Sequence, residues 1–313
     1  MKKIYLNTFF QFIAIIIIIR LFFYENYELE KLSFLLSKNI IYLFALIIFS
    51  KLFLTYLFYH LLKIVTSKKN SFHKISNYFL QGGMVNQLLP GIGFLFKYYK
   101  FNEELNINIS EFSSAQFLWS FFNFGAFIFL AIIFGYASIN FSFVFLFIFF
   151  PLTLLIFFIV YFFRQKIYFN LKKYLLSIKK ISGLVDQLKI VKDNLIQNTY
   201  LVLAIFCGFI FFALLQCFNF YVGLRIFGSD ISFIYSNYVY ISSSLASIIT
   251  MFSFIGWFEL IVHFSSTLIV PNIKNILLFA FAYRFISIIC TFIVIVFFSA
   301  WGIIESRLNK AKY

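Results

Sequence analysis

Ionisable side chains stand deep inside apolar stretches of this sequence, where charge is costly and so marks a candidate working group. Lys51 lies midway through the apolar run 39–62, Arg284 near the middle of 272–303, and Glu259 and His263 within 237–270. Buried cations of this kind can neutralise an anionic ligand. Glu259 and His263 are four residues apart, which puts both on one helical face. That spacing suits a proton-coupled or headgroup-binding step, a structural ion pair of Glu259 with Arg284, or a metal. Two ligands do not make a metal site, and neither His60 nor His73 is close in sequence, so no metal or other cofactor is expected. Lys51 also has a plain reading as an internally paired lysine, and Arg20 and Arg225, near span ends, as residues that snorkel to the interface.

A second group of candidates is backbone rather than charge. Four of the twelve glycines and one of three prolines fall between residues 82 and 93, in a stretch holding Gln81, Gly82, Gly83, Asn86, Pro90, Gly91 and Gly93, with Lys97 just beyond. The stretch 237–270 holds Ser242, Ser243, Ser244, Ser247, Thr250, Ser253 and Gly256, and Pro271 follows it. Broken backbone at membrane depth survives only where protein or a wet cavity satisfies its polar groups. Amides freed at such breaks attract anions such as phosphate.

Enzyme signatures are missing: there is no phosphate-binding G-x-x-x-x-G-K-[ST] loop, no G-x-S-x-G, no H-E-x-x-H and no paired carboxylates at depth. The longest polar stretch, 164–199, is too short for a nucleotide-binding domain, and catalysis is not expected. Cys207, Cys217 and Cys290 each sit in an apolar run with no ligand spacing, and read as packed apolar residues.

The elements that must hold these groups follow from composition. Of 313 residues, 63% are apolar and 12% charged, against about 45–50% and about 25% in soluble domains. A globule cannot hide that excess behind a polar skin; a bilayer removes the need. The expected fold is all-α, a polytopic integral membrane helical bundle. A helix needs ~20 apolar residues to cross the hydrocarbon, and six runs qualify: 4–24, 39–62, 112–136, 138–163, 200–226 and 272–303. The first is too long for a secretion signal and is read as an uncleaved span. The stretches 75–96 and 237–270 are read as two re-entrant broken helices of opposite orientation. The chain is read as a single transmembrane domain over 1–313, with halves at about 1–163 and 200–313. Between them, 164–199 is read as a basic cytoplasmic amphipathic linker lying on the inner leaflet or packed on the spans.

Basic residues set the orientation. If both broken stretches return to the side they left, nineteen of the 26 lysines and arginines fall on one side. Both termini are then cytoplasmic, in the plasma (inner) membrane. The net charge of +15 follows from that bias and calls for no nucleic acid.

The stretch Asn86-Gln-Leu-Leu-Pro90-Gly91-Ile-Gly93-Phe-Leu-Phe-Lys97-Tyr-Tyr-Lys100, with Asn106–Ser114 after it, resembles the first signature of the lysylphosphatidylglycerol synthase transmembrane, or flippase-like, family. Gly256-Trp257-Phe258-Glu259 is similar to the second, and Tyr283-Arg284 to the hydroxyl-Arg pair of the following span. Ile92 and Phe258 stand where the family commonly has basic residues. The resemblance implies movement of a phosphate-bearing phospholipid or isoprenoid-linked lipid between leaflets. It implies a headgroup site drawn from Lys51, Asn86, Pro90, Gly91, Gly93, Lys97, Gly256, Glu259 and Arg284, and membrane lipids with anionic headgroups as partners. The soluble aminoacyl-transfer domain of full-length synthases has no counterpart here, so lysyl transfer is not expected. Two alternatives stay open: an accessory membrane subunit for a glycosyltransferase of cell-envelope biosynthesis, and a small-solute transporter.

Overall fold

A computed structural model describes residues 38–66, 68, 70–88, 92–137, 197–249, 257–269 and 276–310. The expected spans 4–24 and 138–163 and all but the last three residues of the basic linker 164–199 lie outside the described residues, as do Pro90, Gly91 and Gly256. Among the described residues, every regular element is a helix: α1 (Ile40–Val65), α2 (Phe72–Leu88), α3 (Ile92–Leu105), α4 (Ile109–Ala137), α5 (Thr199–Ile226), α6 (Phe233–Ile249), α7 (Trp257–Ile269) and α8 (Ile276–Lys310).

Four of these are long and apolar enough to cross a membrane: α1, α4 over Ile109–Phe134, α5, and α8 over Ile276–Glu305. They correspond to the runs 39–62, 112–136, 200–226 and 272–303. In α1, 26 residues pass without glycine or proline, so each amide finds its partner within the helix, as hydrocarbon demands. Large apolar side chains such as Ile41, Phe49, Phe117, Phe211 and Phe292 point outward, a surface matched to acyl chains.

Local chemistry sets the helix ends. Asn108 and Glu111 cap α4 reciprocally: the Glu111 amide donates to Asn108 Oδ1 at 2.8 Å, and the Asn108 amide to Glu111 Oε2 at 2.9 Å. Lys68, just past α1, adds an ion pair to Glu111 at 3.1 Å. The chain enters this cap through Asn106 at φ 55°, left-handed backbone that asparagine tolerates better than most residues. Asn108→Ala is expected to lower stability by about 1 kcal/mol, read as a fall in the thermal unfolding midpoint in detergent. At the end of α5, Gly228 takes φ +86°. Its amide donates to Arg225 O while the Ser229 amide donates to Leu224 O, the paired bonds of a glycine-ended helix.

The stretch around 75–96 is two helices, α2 and α3, longer together than the apolar window that announced them. They run antiparallel. Gly82 lies against Gly93 and Lys97, and Lys97 Nζ lies over the Phe79 ring. Further from the turn, Tyr78 meets Phe101. The stretch 237–270 is likewise two packed helices, α6 and α7.

At the centre, α1 packs against α2, α4, α5 and α8. Buried apolar residues fall into two clusters at opposite ends of it. One joins Leu57–Val65 of α1 to Phe79, Phe101, Phe112 and Phe298. The other joins Leu43 and Ile47 to Phe220, Leu224, Val239, Val262 and Phe279. The α2–α3 pair therefore belongs to the end where α1 and α8 finish, and the α6–α7 pair to the end where they begin. Polar contacts fix the first pair there: Asn77 donates to Ser299 Oγ at 3.1 Å, and His73 Nδ1 lies 2.8 Å from a Glu305 oxygen.

Candidate functional site

Glu259 stands in the first turn of α7, where free helical amides favour a carboxylate. It is fully enclosed, and Arg284 Nη1 of α8 lies 3.3 and 3.2 Å from its two oxygens. The guanidinium is almost as enclosed, with 13% of the side chain exposed, and its carbon sits 6.0 Å from the Phe258 ring centre. Phe258 in turn packs on Tyr240 of α6 at 6.0 Å. The pair anticipated in the sequence is therefore formed. Glu259 and Arg284 are joined across 25 positions, in an apolar pocket where unpaired charge is strongly disfavoured.

Lys51 comes to the same place from α1. Its ammonium is near enough to Arg284 for the two cations to act on one another, with Cys290 also close by. Beside it, Ser50 donates to Leu46 O at 2.9 Å and accepts from Asn219 Nδ2 of α5 at 2.7 Å. Asn219 is fully buried.

The α2–α3 pair reaches this level too. Phe58 of α1 stacks on Phe79 of α2 at 4.2 Å, and Tyr59 meets Phe72 at 5.2 Å, so the two helices run in opposite directions. Seven residues before Phe58 is Lys51, and seven after Phe79 is Asn86; equal rise per residue brings both to one level, about 10 Å from the Phe58–Phe79 stack.

Other expected site residues are placed elsewhere. Lys97 turns back along α2, its ammonium 4.6 Å from the Phe79 ring centre, level with Phe58 rather than Lys51. Gly93 works by being small: a Cβ there would stand 2.2 Å from Gly82 O and 2.6 Å from the Asn86 amide nitrogen. It lets α2 and α3 touch backbone to backbone. His263 is buried on α7, and among the described residues no group of three or more His, Cys, Asp or Glu is arranged to hold a metal.

Sequence reasoning missed Ser50 and Asn219, a pair 169 positions apart. The available signal was an amide inside an otherwise apolar run, which the search for charges passed over. Compared with protein-family models, curated proteins and solved structures, the chain matches none.

Proposed function

We propose that this protein translocates a lipid with a phosphate-bearing headgroup between the two leaflets of the plasma (inner) membrane. The observation that carries this reading is the enclosed Glu259–Arg284 pair beside Lys51, at the depth reached by Asn86 near the end of α2. In this reading both helix pairs are re-entrant and enter from opposite faces, the arrangement that marks substrate sites near the midplane of transporters. Their location at opposite ends of α1 supports it, and so does the motif resemblance to the flippase-like family. Both termini and the basic loops are cytoplasmic.

The chemistry follows from charge. A phosphate leaving water loses its hydration, and the protein must replace it. Lys51 and Arg284 supply cations, while α3 and α7 both begin at the turns and aim their positive ends inward. Glu259 holds Arg284 in place between passages and is the anion that a phosphate displaces. Asn86, near the end of α2, lies at the depth of Lys51. Acyl or prenyl tails remain in lipid, so only the headgroup crosses the bundle.

The decisive test is reconstitution of the purified chain into phosphatidylcholine vesicles carrying a trace of tail-labelled anionic lipid, followed by quenching from outside. Movement between leaflets makes nearly all the label quenchable. Quenching of the outer-leaflet fraction alone, as in protein-free vesicles, for every anionic lipid tried would overturn the reading. Co-purification with a glycosyltransferase, without lipid movement by the isolated chain, would favour an accessory role instead.

A further inference from the structure

The seam between α1 and α5 is closed along one half and open along the other. The two helices run antiparallel. Gly208 lies against Leu57, where a Cβ would stand 2.6 Å from Leu57 Cδ2. Phe53 meets Phe211 at 5.3 Å, and Ser50 bonds Asn219 at 2.7 Å. Beyond Ser50, toward the start of α1, the seam widens into a groove of about 470 Å³. Leu46, Phe218, Val222 and Ile226 give it an apolar lining, and Asn39, Tyr42, Tyr221 and Arg225 a polar end. Both walls are helices long and apolar enough to span a membrane, and Tyr42 and Phe218 are exposed beside the groove. Seven residues separate Asn39 from Leu46, and seven separate Arg225 from Phe218. That is about 10 Å of helix, against about 15 Å of hydrocarbon in one leaflet.

Arg225 is held in place at the mouth. Its Nε donates to Tyr221 Oη at 3.2 Å, and its Nη1 to Asp230 Oδ1 at 3.0 Å. Its guanidinium carbon lies 5.8 Å from the Tyr221 ring centre. Among the described residues its Nη2 has no partner. Asp230 is fully exposed, so water screens its attraction and the pair is worth little. Lys38, one residue before Asn39, is exposed and adds positive charge at this end.

We propose that this groove holds a resident glycerophospholipid, with one acyl chain along the apolar lining and the phosphate on Arg225. An apolar lining keeps water out, and a groove left empty forfeits its contacts. Arg225 is the last residue but one of α5, so a chain lying in the groove brings its phosphate to the guanidinium. The planar fork suits a phosphate, which takes Arg225 from the screened Asp230. The site is separate from the Glu259–Arg284 pair. The helices around that pair pack on Leu43 and Ile47, and Cys290 of α8 reaches Phe44 O, all on another face of α1. The lipid therefore binds whether or not the protein moves lipid between leaflets.

The test titrates the delipidated, detergent-purified full chain with dioleoyl phosphatidylglycerol and with dioleoylglycerol, the same tails without a phosphate. Native mass spectrometry counts the bound lipid. Phosphatidylglycerol is expected to bind about tenfold tighter, the effect of a charge-assisted hydrogen bond. Arg225→Gln is expected to erase that preference and leave dioleoylglycerol binding unchanged. Val222→Trp, which fills the groove, is expected to weaken both, while Val296→Trp on the exposed face of α8 weakens neither. Equal binding of the two lipids by the unaltered chain, or a preference that survives Arg225→Gln, overturns the assignment. So does binding that Val222→Trp leaves untouched. Phe218→benzoylphenylalanine, irradiated in membranes, is expected to capture lipid. Capture of a second copy, or of another segment of the same chain, shows the groove filled by protein and overturns the assignment.

Discussion

Glu259→Gln and Arg284→Gln are each expected to slow lipid movement at least tenfold and to destabilise the protein by about 3–5 kcal/mol, the usual cost of orphaning one member of a buried ion pair. The carboxylate is wholly enclosed and both its oxygens face one guanidinium nitrogen, so water cannot compensate for either loss. The two variants should differ in kind. Without Glu259, Arg284 and Lys51 are left as neighbouring like charges. Without Arg284, a carboxylate stays buried and loses its guanidinium. The double variant separates structure from function. It should recover much of the lost stability, with a combined effect smaller than the sum of the singles, because neither member of the pair is left to lie buried without the other. Transport should not recover, because the phosphate still lacks Arg284. Thermal unfolding in detergent and vesicle quenching, measured on the same preparations, read the two quantities. Single variants that are both stable and fully active would mean the site is misplaced.

Gly93→Ala should be nearly as damaging, although it adds only one methyl group. That carbon would stand 2.2 Å from Gly82 O, 2.4 Å from Asn86 Cβ and 2.6 Å from the Asn86 amide nitrogen. These are backbone or Cβ atoms, which cannot swing aside, so α2 and α3 must separate. Overpacking of this sort costs about 1–3 kcal/mol, occasionally more, and here it also shifts Asn86 and Gln87 away from the level of Lys51. Gly82→Ala meets chiefly the flexible Lys97 chain, at 2.1 and 2.9 Å, together with Gly93 O at 2.9 Å, and should be milder. Gly83 is the control: nothing lies within 4 Å of a Cβ there. Gly83→Ala should be neutral or stabilise α2 by up to ~1 kcal/mol through helix propensity. A Gly93→Ala protein with unchanged unfolding temperature and transport would show that the close crossing of α2 and α3 does not govern the site.

Much of this arrangement was legible in the sequence. Continuous apolar runs gave α1, α4, α5 and α8 to within a few residues, because only helices satisfy backbone groups in lipid. Clustered glycines and hydroxyls marked the two interrupted stretches, and charge at depth singled out Lys51, Glu259 and Arg284. The ends of α2 were harder to place. Asn77, Gln81, Asn86 and Gln87 lower its hydropathy, and a window tuned to spans clips a helix whose polar face is covered by protein. The direction of Lys97 was not legible at all, since it depends on which side of α3 meets Phe79. The amide contact of Asn219 with Ser50 depends on which helix lies beside which. No spacing within one stretch encodes that.

The longest helix has a further consequence. Near its far end, α8 is fastened to the first helix pair through Asn77–Ser299 and His73–Glu305; fifteen residues before Ser299, Arg284 fastens it to the second. Fastened at both points, α8 couples the two helix pairs, so a displacement of either pair is passed along one continuous helix to the other.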